Sequence, residues 1–215
     1  MALSLYFHPL ASYCWKVLIA LYENDTPFTP LLVDLGDPEQ RAAFYRLAPL
    51  GKFPVLADDA TGRFVPESTI IIEYLAVRYP GPTALIPSDF DLALEARIMD
   101  RFFDQQIHEP MQKHVGDKLR PAAERDPHGV AQAHAQLEKA YAVLDVMLAT
   151  RTWAAGNDFG LADCAAAPAL YYANLVHPLT DAHPAVKAYL ARLQQRPSFA
   201  RVLTEAQPYF AMFPG

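Results

Sequence analysis

The sequence predicts an α/β unit followed by an all-helical unit. Three observations carry this reading. Strand and helix patterns alternate over roughly the first 80 residues, the order that builds a small layered α/β domain. Pro80, Gly81 and Pro82 then punctuate the chain, as a linker does. Beyond Pro87 the apolar residues recur only at helical spacing. The expected division is an α/β domain over residues 1–79, a linker over 80–88 and a helical domain over 89–215.

Each element has its own signal. Leu3 to Phe7 is a short apolar and aromatic run stopped by Pro9, which fits a buried strand. Cys14, Val17, Leu18, Leu21 and Tyr22 follow at i, i+3, i+4, i+7 and i+8, the stripe of an amphipathic helix. Ser12 stands where its N-cap is expected. Phe28 to Leu35 carries the next strand signal, and Pro38 opens a short polar helix reaching about Tyr45. Phe53 to Ala57 and Arg63 to Val65 flank Asp58 to Gly62, the turn of a hairpin. A helix is expected from Glu67 to about Tyr79.

In the second unit, Asp89 to about Val115 reads as one long helix bent at Pro110. Leu137, Ala140, Tyr141, Leu144, Met147 and Leu148 give a second helix its apolar face. Ala162 to about Val176 is apolar nearly all round and should be the buried centre of this unit. Val186, Tyr189, Leu190 and Leu193 mark a further helix, and a short one begins near Ser198.

Composition bounds the function. Hydrophobic residues make up 52% and charged residues 20%, with a net charge of -6, an ordinary globular balance. An acidic total without a basic cluster argues against nucleic acid and anionic membranes as partners. No apolar stretch approaches the roughly 20 residues that span a bilayer, and the start of the chain does not read as a secretion signal. Cys14 and Cys164 match no metal spacing or redox pair, so no metal is expected and a cytoplasmic location is.

Two segments carry chemistry. In Gly51-Lys52-Phe53-Pro54-Val55 a proline opens a strand although it has no N–H for the ladder. A trans proline at a strand edge is one reading. The other is a cis bond that turns the Phe53 main chain outward as a free hydrogen-bonding edge. In Pro66-Glu67-Ser68-Thr69-Ile70 an acid and a hydroxyl occupy a helix start. Capping alone accounts for them, but the same free N–H groups can hold a carboxylate and Glu67 an ammonium.

The segment GKFPVL followed by PESTIIIEYL closely resembles the glutathione-binding half of glutathione transferases. Phe159-Gly160-Leu161-Ala162-Asp163 and Arg196-Pro197-Ser198-Phe199 resemble that family's helix-capping segment and its approach to the last helix. The resemblance covers essentially the whole chain. It implies a thioredoxin-like N-terminal domain, glutathione as cosubstrate, and pairing of two chains as a homodimer. It also implies that the Phe53 main chain, before a cis Pro54, holds the cysteinyl part of glutathione. Glu67 and Ser68 would take the γ-glutamyl end, and Lys52 the glycine carboxylate.

A cysteine thiol is mostly protonated at neutral pH, so something must favour the thiolate. Ser12, a hydroxyl at a helix start, offers both a hydrogen bond and the dipole field. Its rival role is capping alone. Several serine-using classes place their catalytic serine where this chain has Ala11, and some bacterial members carry a cysteine at the position of Ser12. Ala11 to Val17 also resembles the zeta class, with the first serine of its serine-serine-cysteine segment replaced. Tyr6 and Tyr13 are competing phenols, and Cys14, on the apolar stripe, would need exposure to engage in thiol exchange. Candidates for the electrophile pocket are Phe103, His108, Met111, Tyr171, Tyr172, Tyr209, Phe210 and Phe213. Asp100 and Asp104 are read as solvated helix charges, with a partner's glutathione as the alternative. The expected activity is attack of a glutathione thiolate on a small apolar electrophile. Its alternatives are a glutathione-dependent isomerase of a small organic acid and a binding protein without turnover.

Overall fold

The computed structural model describes residues 3–214. The outer limits of the expected domains, residues 1, 2 and 215, lie outside them. The N-terminal unit is a four-stranded mixed sheet in the order β2-β1-β3-β4, formed by β1 (Leu3–Phe7), β2 (Thr29–Leu32), β3 (Val55–Asp58) and β4 (Arg63–Pro66). β1 runs parallel to β2 and antiparallel to β3, and β3 runs antiparallel to β4. Helices α1 (Ser12–Glu23), α2 (Pro38–Leu47) and α3 (Ser68–Arg78) complete it. This is the thioredoxin-like arrangement.

β1 has the expected bounds and β4 runs one residue further, whereas β2 is shorter and β3 is shifted relative to the sequence reading. β2 spans Thr29–Leu32 at the edge of the sheet and carries Pro30, a residue that an edge strand tolerates. β3 begins only after Pro54 and extends through Asp58, which both pairs with Arg63 and opens the turn, its carbonyl accepting the Thr61 N–H at 3.2 Å. Asp58 is buried there because its carboxylate accepts the hydroxyls of Tyr74 at 2.5 Å and Tyr79 at 2.7 Å. Its polar atoms are thereby satisfied.

The second unit is all-helical: α4 (Phe90–Phe102), a π-helical segment (Phe103–His108), α5 (Glu109–Lys118), α6 (Pro127–Leu148), α7 (Leu161–Val176), α8 (Pro184–Gln195) and α9 (Pro197–Ala206). α4, the π segment and α5 continue one another. The expected disturbance at Pro110 therefore takes the form of a widened turn just before the proline, which has no N–H to return to a preceding carbonyl. α7 lies at the centre, buried from Leu161 to Leu170.

One core joins the two units. α1 is buried from Cys14 to Leu21, packed against α3, α7 and α9 in one core with Leu3, Leu5 and Leu56 of the sheet. Trp15 is fully buried, donates its indole N–H to the Pro9 carbonyl at 2.5 Å, and packs its ring on Tyr171, Tyr172, Phe199 and Phe210. A smaller cluster of Val33, Phe44 and Val55 fills the other face of the sheet.

Candidate functional site

Two clefts open along the seam between the units and share Phe53 in their walls. The first, about 680 Å³, is lined among others by Tyr13, Lys52, Pro54, Glu67, Ser68 and Arg101. The second, about 450 Å³, is lined among others by Ser12, Leu10, Met111, Val115, Tyr172 and Phe213. All the residues singled out for binding thus line one cleft. Ser12 and Tyr13, adjacent on the first turn of α1, face different clefts.

The Phe53–Pro54 peptide is cis, the second of the two alternatives open in the sequence. Lys52 is exposed and makes no ion pair among the described residues. Glu67 enters α3 at φ 67°, the left-handed region that a residue with a Cβ seldom adopts. Ser68, buried, is the first residue of α3. Its neighbours in the first turn leave amide N–H groups without intrahelical acceptors, at the positive end of the helix.

Ser12 is not the N-cap of α1. Ala11 is, with extended backbone, and its carbonyl accepts from Cys14 and Trp15. That frees the Ser12 hydroxyl, which is hydrogen-bonded to Nε2 of His108 from the π segment. Burial, helped by the positive charge of Lys16, pushes the His108 imidazole down to about 3, so it is neutral. Its ring lies 4.2 Å from that of Tyr13. Burial raises the Tyr13 phenol well above its ordinary value, with Asp104 and Glu109 adding to the effect, so it too is protonated.

Behind this pair sits a charge cluster that the sequence reading placed in solvent. Lys16, fully buried on α1, lies 2.5 Å from Asp100 and 3.0 Å from Asp104, and donates to Thr69 Oγ1 at 2.9 Å. Asp100 and Asp104 are themselves buried. Arg101, half exposed, reaches Asp100 at 2.7 Å, Thr69 at 2.5 Å and also Asp104. Two cations and two carboxylates leave a neutral group, which is how buried charge is tolerated. Burial raises the Asp104 carboxyl above its ordinary value, Asp100 adds to that, and Lys16 and Arg101 oppose it. Nothing in the spacing of Asp100 and Asp104 told that α1 would supply a lysine between them.

The rival thiol-activating groups are placed elsewhere. Tyr6 lines neither cleft and packs toward Phe44, ring centroids 6.3 Å apart. Cys14 is fully buried and burial pushes its thiol up to about 12, which removes the exposure that thiol exchange requires. Of the electrophile-pocket candidates, Met111, Tyr172 and Phe213 line the second cleft, and His108 reaches it through Ser12. Phe103 belongs to the core, Tyr171 and Phe210 pack on Trp15, and Tyr209 lines neither cleft. The sequence reading missed Leu10 and Val115 as wall residues, and the pairing of His108 with Ser12 across 96 positions. No local pattern encodes such a pairing.

Among the described residues no group of His, Cys, Asp and Glu side chains is arranged to hold a metal ion. Among the described residues no helix is long and apolar enough to cross a membrane.

Comparison with known proteins gives a consistent picture. A family profile described as "Glutathione S-transferase, N-terminal domain" matches residues 5–83, and one described as "Glutathione S-transferase, C-terminal domain" matches residues 127–192. The glutathione S-transferase-like protein LUC7 of a Fusarium species is 33% identical over 163 residues, 74% of this chain and 72% of that protein. Maleylacetoacetate isomerase of Pseudomonas aeruginosa is 28% identical over 216 residues, 97% of this chain and 98% of the isomerase. A solved glutathione S-transferase of Methylobacterium radiotolerans, in complex with glutathione sulfonate, superposes with a TM-score of 0.80 at 31% identity, covering 94% of each chain.

Proposed function

The chain belongs to the glutathione S-transferase family, and on that premise we propose that it binds glutathione in the first cleft and presents its sulfur to a small apolar electrophile in the second. The observation that carries this reading is the junction of the clefts at Phe53, with Ser12 and Tyr13 side by side above it. Glu67 and the start of α3 hold the γ-glutamyl ammonium and carboxylate. The Phe53 main chain holds the cysteinyl backbone, and Lys52 reaches the glycine carboxylate. A tripeptide so held directs its thiol toward the first turn of α1.

Ser12 then donates a hydrogen bond to the sulfur, and the positive end of α1 adds its field. Both favour the thiolate. The thiol proton leaves to solvent. The thiolate attacks the electrophilic carbon, a C–S bond forms, and the leaving group departs with its electron pair; in an addition, the new carbanion takes a proton instead. Juxtaposition of thiolate and electrophile supplies the rest of the rate. The apolar walls of Leu10, Met111, Val115, Tyr172 and Phe213 select a small apolar substrate.

A second reading, isomerisation of a small unsaturated organic acid, is favoured by the likeness to the Pseudomonas isomerase along its whole length. Here the thiolate adds and later leaves, and glutathione is not consumed. We place the protein in the cytoplasm, where its two buried free thiols suit a reducing milieu. We also take it to act as a homodimer, using the exposed apolar side chains Ile70 and Val77 of α3 and Phe90, Leu94 and Ile98 of α4.

Calorimetric titration of glutathione tests the reading. Wild type should bind, and Glu67→Ala/Ser68→Ala should bind at least about tenfold more weakly, the loss of one charge-assisted hydrogen bond or more. Turnover of a generic aromatic electrophile by wild type, but not by Ser12→Ala, supports the transferase. Consumption-free isomerisation supports the second reading. Binding with a rate unchanged in Ser12→Ala would leave a glutathione-binding protein, and absence of binding in wild type would contradict all three.

A further inference from the structure

The Ser12 hydroxyl has one proton, and two claims are made on it. Serine offers a single O–H donor with two acceptor lone pairs, and a neutral imidazole carries its proton on only one of two nitrogens. If Ser12 donates to His108, its proton is spent, and the oxygen turns only lone pairs toward the second cleft. A thiolate placed there would be repelled. If His108 donates to Ser12, the hydroxyl proton is free to point into the cleft. The bond also polarises the O–H group, making it a stronger donor.

We infer that His108 carries its proton on Nε2 and donates it to Ser12 Oγ, which makes it a positioning residue that aims the Ser12 hydroxyl at the glutathione sulfur. The inference rests on the thiolate role given to Ser12 above. It also draws on how His108 is held. The imidazole is buried at the end of the π segment, with the Tyr13 ring 4.2 Å away, so its orientation toward Ser12 is fixed by packing. The charged and titratable groups about the pair are Tyr13 and Lys16 of α1, Asp100 and Arg101 of α4, Asp104 of the π segment and Glu109 of α5. Lys16 is committed to Asp100 and Asp104, and Arg101 to the same two carboxylates. On α7, Tyr172 donates its hydroxyl to the Leu10 carbonyl at 2.9 Å. Lys16, Arg101 and Tyr172 are engaged elsewhere, and no other hydrogen bond to the Ser12 side chain occurs among the described residues. A weakly basic, neutral histidine is also a poor acceptor for the serine proton. That sets this pair apart from a serine nucleophile activated by a histidine base.

The test uses the full chain and two readouts. The first needs no glutathione: nitrogen NMR of histidine-labelled protein, with His108 assigned by its loss in His108→Gln, reports which ring nitrogen bears the proton. Nε2 should be protonated and perturbed by Ser12→Ala. A bare Nε2 overturns the inference whatever glutathione does. The second is the pH profile of thiolate absorbance in the glutathione complex. His108→Leu, which removes the donor, should raise the bound thiol's midpoint by about one pH unit and slow conjugation about tenfold below that midpoint, with KM for glutathione little changed. His108→Gln, which keeps an N–H donor, should restore most of the loss. Equal midpoints in wild type, His108→Leu and His108→Gln would overturn the inference while leaving the glutathione reading intact. Should His108→Leu fail to fold, the nitrogen spectrum of wild type still decides. Failure of glutathione to bind wild type would sink the proposed function, with the proton position on His108 still read directly.

Discussion

At the scale of the residue, Glu67 and His108 hold conformations and protonation states that a free chain does not favour. A non-glycine residue in the left-handed region costs on the order of 1–3 kcal/mol and persists only where the surroundings over-determine it. Glu67→Gly should therefore raise stability by about 1 kcal/mol in denaturant titration, since glycine adopts that region freely, while weakening glutathione binding through loss of the carboxylate. A parallel loss of stability and binding would show that Glu67 is only structural. For His108 the direction of the pH effect follows from its depressed basicity. The folded protein keeps it neutral down to about 3, whereas the unfolded chain protonates it near 6.5. The stability it allows is complete above about pH 6.5 and is lost as pH falls. Between about pH 7.5 and about pH 5, wild type should lose about 2 kcal/mol more than His108→Gln does, measured by denaturant titration at each pH.

At the scale of the element, α7 shows what a short motif does and does not reveal. The family-like segment Phe159 to Asp163 marked the helix start, and Asp163 there accepts the Gly160 N–H at 3.0 Å, the Ala154 N–H at 2.9 Å and the Tyr189 hydroxyl at 2.5 Å. Burial pushes its carboxyl up to about 6. Why glycine stands at position 160 was not legible, because the reason is 75 positions away in the chain. A Cβ there would lie 2.9 Å from the Leu85 carbonyl oxygen, which already accepts the Leu161 N–H at 2.8 Å. Gly160→Ser would add a capping hydroxyl worth a few tenths of a kcal/mol but force the linker away. We expect a net loss of about 1 kcal/mol, seen as a lower Tm, and a gain would show that the linker moves freely. Likewise Pro110 signalled a disturbance in the long helix. That the widened turn would hold His108 in a segment packed against α7 is something periodicity does not encode.

At the scale of the whole molecule, the sequence told of two units but not of how closely they are joined. The apolar stripe of α1 was legible. What was not legible is that α1 is covered on both sides, so that Trp15 and Lys16 also face inward. Glu23, at the end of α1, adds a second tie: it accepts from Thr83 of the linker at 3.1 Å and from Arg196 and Ser198 at the start of α9. The residues proposed to bind glutathione could be singled out because each belongs to its own local stretch of chain, Phe53 before the cis bond and Glu67 and Ser68 at a helix start. Ser12, His108 and the Lys16 cluster act across the seam, where spacing says nothing. Lys16→Met should leave Asp100 and Asp104 as adjoining buried charges and cost about 3–5 kcal/mol at neutral pH. Part of that should return on acidification as a carboxyl protonates. A loss that does not depend on pH would mean that Lys16 contributes through packing alone.

The claim that joins these scales is that the seam makes a bound glutathione thiol more acidic through Ser12. Its most direct measurement is the pH titration of thiolate absorbance in the glutathione complexes of wild type and Ser12→Ala. The account predicts a midpoint at least about one unit below the ordinary value near 8.5 in wild type, returning most of the way in Ser12→Ala. Superimposable titrations of two complexes that both bind glutathione would contradict it.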